Sequence, residues 1–286
     1  MRPSPRRTGL AFLAVAAFVV AACSAPAPQP TPPPPTPPQP VVNTVPPPAT
    51  PHWDYGTEHG PAKWASLAPE FATCASGKSQ SPIDIASAKT EPAAALKTSY
   101  APAELRVVHH EHVADGINNG HTVQVNYEGA DALAIGDETF TLLQYHFHSP
   151  SENTVNGKHY PMEMHLVHKS QAGKLAVLAV FFEEGAENAA YAPVWANLPR
   201  EKGKEFHLAH VKVNVDDLLP KERTTWRFDG SLTTPPCTED VQWLVLTQPA
   251  QLSAQQIAAF RAVIDHNNRP TQPLNGRKVA TDRVKG

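Results

Sequence analysis

Three histidines, His146, His148 and His165, have a spacing that suits a metal centre. His146 and His148 are two residues apart, so in a β-strand both side chains point to the same face. His165 can lie beside them if the segment 149–161 turns the chain back. Three neutral imidazoles leave the fourth position of a tetrahedral zinc ion open for water, as in catalytic rather than structural sites. The pattern predicts a reactive zinc centre, whereas two strand histidines alone would also suit a surface or packing role.

Two polar residues could orient these histidines. A zinc-bound histidine needs an acceptor for its other ring nitrogen. Gln144 lies two residues before His146, and Glu163 lies two residues before His165, so each shares a strand face with its histidine. A buried carboxylate at Glu163 would be costly without a partner. We predict that Gln144 and Glu163 hold the ligands, and the alternative for Glu163 is a solvated edge charge.

The elements that must position these residues are predicted to be short strands, because the chain from Trp53 onward is punctuated by Gly, Pro, Asn and Asp. This pattern favours a mostly-β domain. In the segment 139–148, alternation predicts one face with Phe140, Leu142, Gln144, His146 and His148. In the segment 162–169, it predicts one face with Glu163, His165 and Val167. Two other strands could form an apolar wall beside the histidines, through the pairs Leu175 with Val177 and Val241 with Trp243.

One helix is predicted on the outside of the sheet, near the C-terminus. Ser253 and Gln256 form a capping box, and Ile257, Phe260 and Ile264 recur at helical spacing. No internal repeat or second linker interrupts the chain after Trp53. Residues 52–286 therefore suit a single domain with a sizeable core.

Residues 1–22 have the features of a signal peptide. Arg2, Arg6 and Arg7 precede an apolar stretch, 10–22, that is too short to span a bilayer comfortably. Val20-Ala21-Ala22-Cys23 resembles a lipobox, in which Cys23 becomes the lipidated first residue of the mature protein. The alternative is ordinary cleavage after Ala22. The expected location is the periplasm or the cell surface, with a lipid anchor at Cys23.

Residues 23–51 form a predicted linker. Between Pro26 and Pro51 the chain has 14 prolines and no charge, so it should be extended as polyproline II rather than packed in a core. At about 3.1 Å per residue, such a segment could reach roughly 80 Å. It is either a stalk that holds the domain away from a membrane or a tail without a role.

The chain has three cysteines, Cys23, Cys74 and Cys237. In an oxidising compartment an odd number leaves one unpaired, and Cys23 is the one beside the lipobox. Cys74 and Cys237 would then form a disulfide, which the chain-entropy model values at about 4 to 5 kcal/mol for so long a loop. In a reducing compartment both would be buried thiols.

The charge balance argues against a nucleic-acid partner. The formal net charge is −3, and it becomes about −6 without residues 1–51, which contain three arginines and no acid. Neither this mild acidity nor any basic run suggests nucleic-acid binding. We therefore expect a small-molecule partner.

The chain from Trp53 to Lys278 closely resembles the alpha carbonic anhydrases. Eight segments carry the resemblance and occur in the order that is found in the family. They are Trp53-Asp54-Tyr55-Gly56 with Gly60-Pro61 and Trp64, Gln80-Ser81-Pro82-Ile83-Asp84, Asn118-Asn119-Gly120-His121, Gln144-Tyr145-His146-Phe147-His148, Ser151-Glu152, Glu163-Met164-His165-Leu166-Val167-His168, Gly230-Ser231-Leu232-Thr233-Thr234-Pro235-Pro236 and Asn267-Asn268-Arg269-Pro270. The disulfide pair of exported family members also matches Cys74 and Cys237.

The resemblance implies the reversible hydration of carbon dioxide to bicarbonate and a proton. It also implies a large central twisted sheet of mainly antiparallel strands with peripheral helices. His146, His148 and His165 would bind Zn²⁺, with Gln144, Glu163 and Asn267 supporting them. The zinc would lower the pKa of its water from about 15.7 to about 7 and so provide hydroxide, a magnitude that comes from carbonic anhydrase itself.

Thr233 matches the gatekeeper threonine of the family. Its hydroxyl would donate to Glu152 and accept from the zinc hydroxide, because one hydroxyl has one proton. Thr234 resembles the neighbour that helps to seat bicarbonate. The implied carbon dioxide pocket consists of Val167, Val177, Leu232, Val241 and Trp243.

His121 matches the proton-shuttle histidine of the family, and histidine titrates near neutral pH. Tyr55, Asn119 and Gln124 would order the intervening waters. Without the resemblance, a histidine after Asn-Asn-Gly would be interpreted as an exposed turn residue.

Two features depart from the animal members of the family. The 16 residues between His148 and His165 are fewer, as in the shorter bacterial form, and Asn268 stands where animal enzymes often have tryptophan. Two rival functions remain. A catalytically inactive cell-surface binding module of the same fold would lack zinc ligands, and a zinc esterase fits poorly with a narrow aliphatic pocket.

Overall fold

The computed structural model describes residues 51–86, 89–90, 96–99, 103–110, 121–126, 132–201, 205–264 and 266–281. The predicted signal peptide, Cys23 and the linker up to residue 50 lie outside these ranges. Asn119 also lies outside them. The predictions for these residues therefore stay predictions.

Strands are the main regular element of the described residues, as the sequence predicted. Within these ranges the strands are β1 (Asp84–Ile85), β2 (Lys89–Thr90), β3 (Leu96–Ser99), β4 (Ala103–His110), β5 (Thr122–Asn126), β6 (Ala132–Ile135), β7 (Glu138–His148), β8 (Thr154–Val155), β9 (Lys158–His159), β10 (Met162–Ser170), β11 (Leu175–Glu184), β12 (Glu205–Val213), β13 (Thr225–Gly230), β14 (Val241–Leu246), β15 (Ala250–Leu252) and β16 (Ala280–Thr281). The helices are α1 (Trp64–Leu67), α2 (Thr73–Ser76), α3 (Ala192–Trp195) and α4 (Ala254–Arg261), with 3₁₀ turns at Pro69–Phe71, Ala189–Tyr191 and Val215–Leu218.

Thirteen of the described strands form one large sheet. Its main path has the order β12-β4-β5-β7-β10-β11-β14-β13-β16-β2, while β6 joins β3 to β7 and β15 pairs with β11. The pairs β11–β14, β11–β15 and β16–β2 are parallel, and the other pairs in this sheet are antiparallel. The strands β1, β8 and β9 form a small separate sheet. The mainly antiparallel sheet that the resemblance implied is confirmed.

The central strands of the large sheet are buried on both faces. One face, called here the helix-side core, includes Val125, Tyr145, Phe147, Met164, Leu166, Ile257 and Phe260. The other face, called the pocket-side core, includes Val177, Ala179, Phe181, Phe228, Val241 and Trp243. Alternate residues of β7, β10 and β11 thus point into two different environments.

A β-bulge in β7 changes the direction of its side chains. Gln144 is opposite Val167 and Leu142 is opposite His168, so Leu143 is an extra residue on β7. One extra residue shifts the alternation by one position. Phe140 and Leu142 therefore pack in the helix-side core, whereas Gln144 and the two histidines after it face the other side. The prediction of one continuous face from Phe140 to His148 was wrong for these two residues.

Helix α4 begins with the predicted capping box. The Ser253 Oγ accepts from the Gln256 N–H at 3.2 Å, and the Gln256 Oε1 accepts from the Ser253 N–H at 3.1 Å. Ile257 and Phe260 pack in the helix-side core, and Ile264 is buried there too, although the helix ends at Arg261. Among the described residues, no helix combines the length and the apolar character needed to cross a membrane.

The predicted disulfide between Cys74 and Cys237 is present and joins positions 163 residues apart. It lies in a small core with Trp53, Trp64 and Phe71. The Cys237 N–H donates to the Thr234 carbonyl at 2.8 Å. The bond therefore attaches the loop after β13, which contains Thr233 and Thr234, to α2.

Candidate metal centre

Strands β7 and β10 bring His146, His148 and His165 together. His146 and His165 are directly opposite each other in the antiparallel pair, and His148 follows on the same face of β7. One nitrogen from each ring lies within 4.8 Å of the others, and all three residues are buried. The predicted convergence of the three histidines is confirmed.

Each of these histidines has an acceptor beside one ring nitrogen. The contacts are His146 Nδ1 to Gln144 Oε1 at 2.8 Å, His148 Nδ1 to the Asn267 carbonyl at 2.7 Å and His165 Nε2 to Glu163 Oε1 at 3.1 Å. Such contacts fix the tautomer and leave the other nitrogen for a metal. The ligand atoms are then Nε2 of His146 and His148 and Nδ1 of His165. The structure places Gln144 and Glu163 where the sequence predicted them.

The Glu163 carboxylate is buried, and N–H groups surround it. Its Oε2 accepts from the N–H groups of Glu152 at 2.7 Å and Asn153 at 2.8 Å, and its Oε1 accepts from Asn153 Nδ2 at 2.7 Å. Burial raises the pKa of Glu163 to about 7, and these hydrogen bonds oppose the rise. They are the partners that a buried carboxylate at this position requires.

Asn267 links a metal ligand to a second part of the site. Its backbone carbonyl contacts His148 Nδ1, and its side-chain Oδ1 accepts a hydrogen bond from the Ser149 N–H at 2.8 Å. Its Nδ2 donates to the carbonyls of His121 at 2.8 Å and Phe147 at 2.9 Å. Asn267 therefore holds both the His148 ring and the backbone at His121.

The electrostatics of the site fit a divalent cation. Burial lowers the pKa of His148 to about 4 and that of His146 and His165 well below the usual value, so the rings are neutral, the form that binds metals. His148 Nε2 is buried and has no hydrogen-bond partner among the described residues. Glu152 Oε2 lies 3.5 Å from His148 Nε2 and 3.9 Å from His165 Nδ1. Three lone pairs beside a buried carboxylate match what Zn²⁺ requires.

Glu152 is buried next to Thr233. Its Oε1 accepts the Arg269 N–H at 2.8 Å. Burial raises the pKa of Glu152 to about 8, while the Arg269 N–H and the Thr233 hydroxyl oppose the rise. A cation at the three histidines would further favour the ionised form. Thr233 therefore lies close to Glu152, and the donation of its proton to the carboxylate stays a prediction.

The three histidines line a pocket with an apolar side and a polar side. Val167, Val177, Leu232 and Trp243 form the apolar side, and the Trp243 ring centroid lies 4.9 Å from that of His165. The residues on the polar side include Thr122, Thr233 and Thr234. Val241, which the resemblance also placed here, is buried with Val177 and Trp243 in the pocket-side core and is not a lining residue.

His121 and Tyr55 line the same pocket, as the resemblance implied. The His121 ring packs on Trp53, with centroids 3.5 Å apart, and the Tyr55 ring is 5.8 Å away. Gln124 is opposite His146 on β5, but its Nε2 donates to Asn126 Oδ1 and it is not a lining residue.

Sequence reasoning missed several residues of the site. Trp53, Thr122, Pro235 and Pro236 also line the pocket. For three of them the available signal was their place in the resembling segments. Thr122 directly follows such a segment, at His121, and had no signal of its own.

Comparison with known proteins was consistent with this geometry. The family model described as eukaryotic-type carbonic anhydrase matches residues 59–283. A carbonic anhydrase of Klebsiella pneumoniae is 46% identical over 235 residues, 80% of this chain and 90% of that protein. One from Pectobacterium carotovorum is 44% identical over 229 residues, with the same two coverages.

A solved structure gives the same result. The complex of alpha-carbonic anhydrase from Thermovibrio ammonificans with the inhibitor sulfanilamide has a TM-score of 0.75 and 44% sequence identity. The match covers 81% of this chain and 99% of that chain. Similarity on this scale, over about four-fifths of its length, shows that the chain belongs to the alpha family of carbonic anhydrases, which are zinc enzymes.

Proposed function

We propose that the chain catalyses the reversible hydration of carbon dioxide to bicarbonate and a proton. The observation that carries the proposal is the buried trio His146, His148 and His165 in a pocket that apolar side chains also line. Bound zinc supplies a hydroxide nucleophile near neutral pH, since it lowers the pKa of water to about 7, a value that is taken from carbonic anhydrase itself.

Thr233 orients the nucleophile in this proposal. Its one hydroxyl proton is donated to the Glu152 carboxylate, so the Thr233 oxygen is left as an acceptor. The Thr233 oxygen could then accept a hydrogen bond from the nucleophile, which would orient a lone pair of the nucleophile toward the carbon atom. The Arg269 N–H, at 2.8 Å from Glu152 Oε1, keeps the carboxylate in position for this role.

The apolar side of the pocket suits carbon dioxide, which has no hydrogen-bond donor. Val167, Val177, Leu232 and Trp243 offer it a surface from which water is easily displaced. Bicarbonate is polar and charged, so it binds this surface less well than carbon dioxide does. Thr234, on the polar side, provides a hydrogen-bonding group for bicarbonate.

A stopped-flow assay of carbon dioxide hydration on the full-length chain tests the proposal. We expect activity to be lost after dialysis against a zinc chelator and to return when about one equivalent of Zn²⁺ is added. Activity that is insensitive to zinc removal would contradict the proposal. So would an inactive chain that holds one zinc ion at the three histidines.

We infer that His121 transfers the product proton between the pocket and the buffer. Its position in the pocket wall and its packing against Trp53 support this role. The substitution His121→Ala should slow turnover in dilute buffer by at least about tenfold, and added imidazole should restore the rate. His159→Gln is the matched control, because it replaces an exposed histidine outside the pocket, and the glutamine amide can still donate to the Ser151 carbonyl that His159 Nδ1 contacts at 2.6 Å. An unchanged rate in His121→Ala would exclude the shuttle role.

We also propose that the protein is exported and anchored by a lipid at Cys23. The disulfide between Cys74 and Cys237 supports an oxidising compartment. Cys23 is then the cysteine that is left for lipidation, and it follows a lipobox-like segment. Palmitate labelling in a bacterial host should mark the parent chain and not a Cys23→Ser variant. Equal labelling of both chains would contradict the anchor.

A further inference from the structure

A second group of metal-binding side chains lies at the start of the described domain. His52, Asp54 and His59 each offer one donor atom, and these atoms lie within 4.8 Å of one another. None of the three is a ligand in the three-histidine site. The cluster is therefore separate from the proposed zinc site.

Both imidazoles of this cluster face the same carboxylate oxygen. Asp54 Oδ2 lies 3.9 Å from His52 Nε2 and 3.8 Å from His59 Nδ1. The side chains are 60%, 38% and 43% exposed for His52, Asp54 and His59, so an ion pair here would contribute little to stability. Ion-pair stability therefore does not explain why both imidazoles lie next to Asp54 Oδ2.

The loop between these residues is held in shape by its backbone. The Asp54 N–H donates to the His59 carbonyl at 3.0 Å, and Trp64 Nε1 donates to the Asp54 carbonyl at 3.0 Å. A Cβ atom at Gly60 would lie 1.9 Å from the Gly56 carbonyl oxygen, so the close approach of these two segments requires glycine. The three donors therefore come from a preformed turn.

The Asp54 carboxylate is also oriented before any ion binds. Its Oδ1 accepts the Gly56 N–H at 2.7 Å, which leaves Oδ2 directed at the two histidines. Donors around a tetrahedral zinc are about 3.4 Å apart, as follows from metal–ligand distances of about 2.1 Å. The two separations from Asp54 Oδ2 exceed this by roughly 0.5 Å, and the donor atoms of the two histidines lie within 4.8 Å of each other. Rotation of the exposed and half-exposed side chains can bring them closer.

The ligand set selects the class of metal. Two imidazoles and one carboxylate suit Zn²⁺, Cu²⁺ or Ni²⁺, whereas Ca²⁺ and Mg²⁺ prefer oxygen ligands. Three protein ligands leave positions for water, and an exposed site of this kind binds Cu²⁺ most tightly by the usual order of affinities.

We propose that His52, Asp54 and His59 form a second, surface site for a divalent transition-metal ion. Asp54 lies between Trp53 and Tyr55, both of which line the pocket, and Trp53 packs on His121. An ion at this site therefore stabilises the turn that supports one wall of the pocket.

Titration of the zinc-loaded full-length chain with Cu²⁺ tests the proposal. We expect the parent chain to retain its zinc and to bind one more equivalent of Cu²⁺ than each of the variants His52→Gln, Asp54→Asn and His59→Gln. Asp54→Asn keeps an oxygen that can accept the Gly56 N–H, so it removes the ligand charge without removing this contact. Electron paramagnetic resonance should show coupling to two imidazole nitrogens in the parent chain and the loss of that signal in both histidine variants.

Two substitutions serve as matched controls. Glu58→Gln changes an exposed acid in the same turn, and His159→Gln changes an exposed histidine elsewhere, so both should bind Cu²⁺ like the parent chain. Circular dichroism and zinc content should be unaltered in all variants, because the substituted side chains are exposed or half-exposed. Equal Cu²⁺ uptake by the parent chain and the three cluster variants would overturn the proposal. Loss of uptake after only one of the three substitutions would also overturn it.

Discussion

The substitution His165→Gln is expected to reduce carbon dioxide hydration to the uncatalysed background and to leave the chain without tightly bound zinc. His165 provides one of three ligand nitrogens, and its ring is held between Glu163 and Trp243. The pKa change that zinc imposes on water spans about nine units in carbonic anhydrase, or roughly 12 kcal/mol, and no side chain of the pocket can supply it. Elemental analysis and stopped-flow kinetics measure the two effects.

The control for this substitution lies in the same hairpin. His159→Gln removes an exposed histidine between β7 and β10 and should retain full zinc content and activity. Because His165 is buried, circular dichroism must show that its variant is folded. A folded His165→Gln protein that keeps both zinc and activity would show that the histidine trio is not the metal centre.

The substitution Thr233→Val is expected to lower kcat/KM for carbon dioxide by about 100-fold while zinc content stays at the parental level. Valine has nearly the same shape but no hydroxyl, so the contact with Glu152 and the acceptor for the nucleophile are both lost. The nucleophile would still form, but its orientation would no longer be controlled.

Thr233→Ser is the matched control, because it retains the hydroxyl and removes a methyl group. It should keep most of the activity that Thr233→Val loses. If both variants lost activity equally, loss of the hydroxyl would not explain the result, because Thr233→Ser retains it. If neither variant lost activity, the orienting role of Thr233 would be refuted.

Local patterns in the sequence were sufficient to place the candidate metal ligands on shared strand faces, and the family resemblance identified them as zinc ligands. Alternation along a strand depends only on neighbouring residues, so the shared faces of His146 with Gln144 and of His165 with Glu163 could be derived without the fold. The same rule separates His168 from the site, because it is three residues after His165 and points to the opposite face. There it is buried, and burial lowers its pKa to about 4, as expected for a packing histidine.

Alternation failed where the backbone departs from regular pairing. The bulge at Leu143 has no strong local signal, since Leu142 and Leu143 are both apolar although one is buried and the other is 43% exposed. Register against the neighbouring strand decides which residue is the extra one. That information lies in β10 rather than in β7.

Contacts between distant segments were also beyond sequence reasoning. The Asn267 carbonyl meets His148 across 119 positions, and the Arg269 N–H meets Glu152 across 117 positions. Both contacts use backbone atoms, which every residue type possesses. Composition and spacing therefore cannot predict these contacts. Only the family resemblance indicated that the segment with Asn267 and Arg269 belongs to the site.

The disulfide holds a part of the site that the sheet does not hold. The histidines belong to neighbouring strands of the sheet, whereas the loop with Thr233 is covalently attached to α2 through Cys237 and Cys74. Reduction of this bond would therefore free the loop that contains Thr233 and leave the pairing of the two histidine strands unchanged.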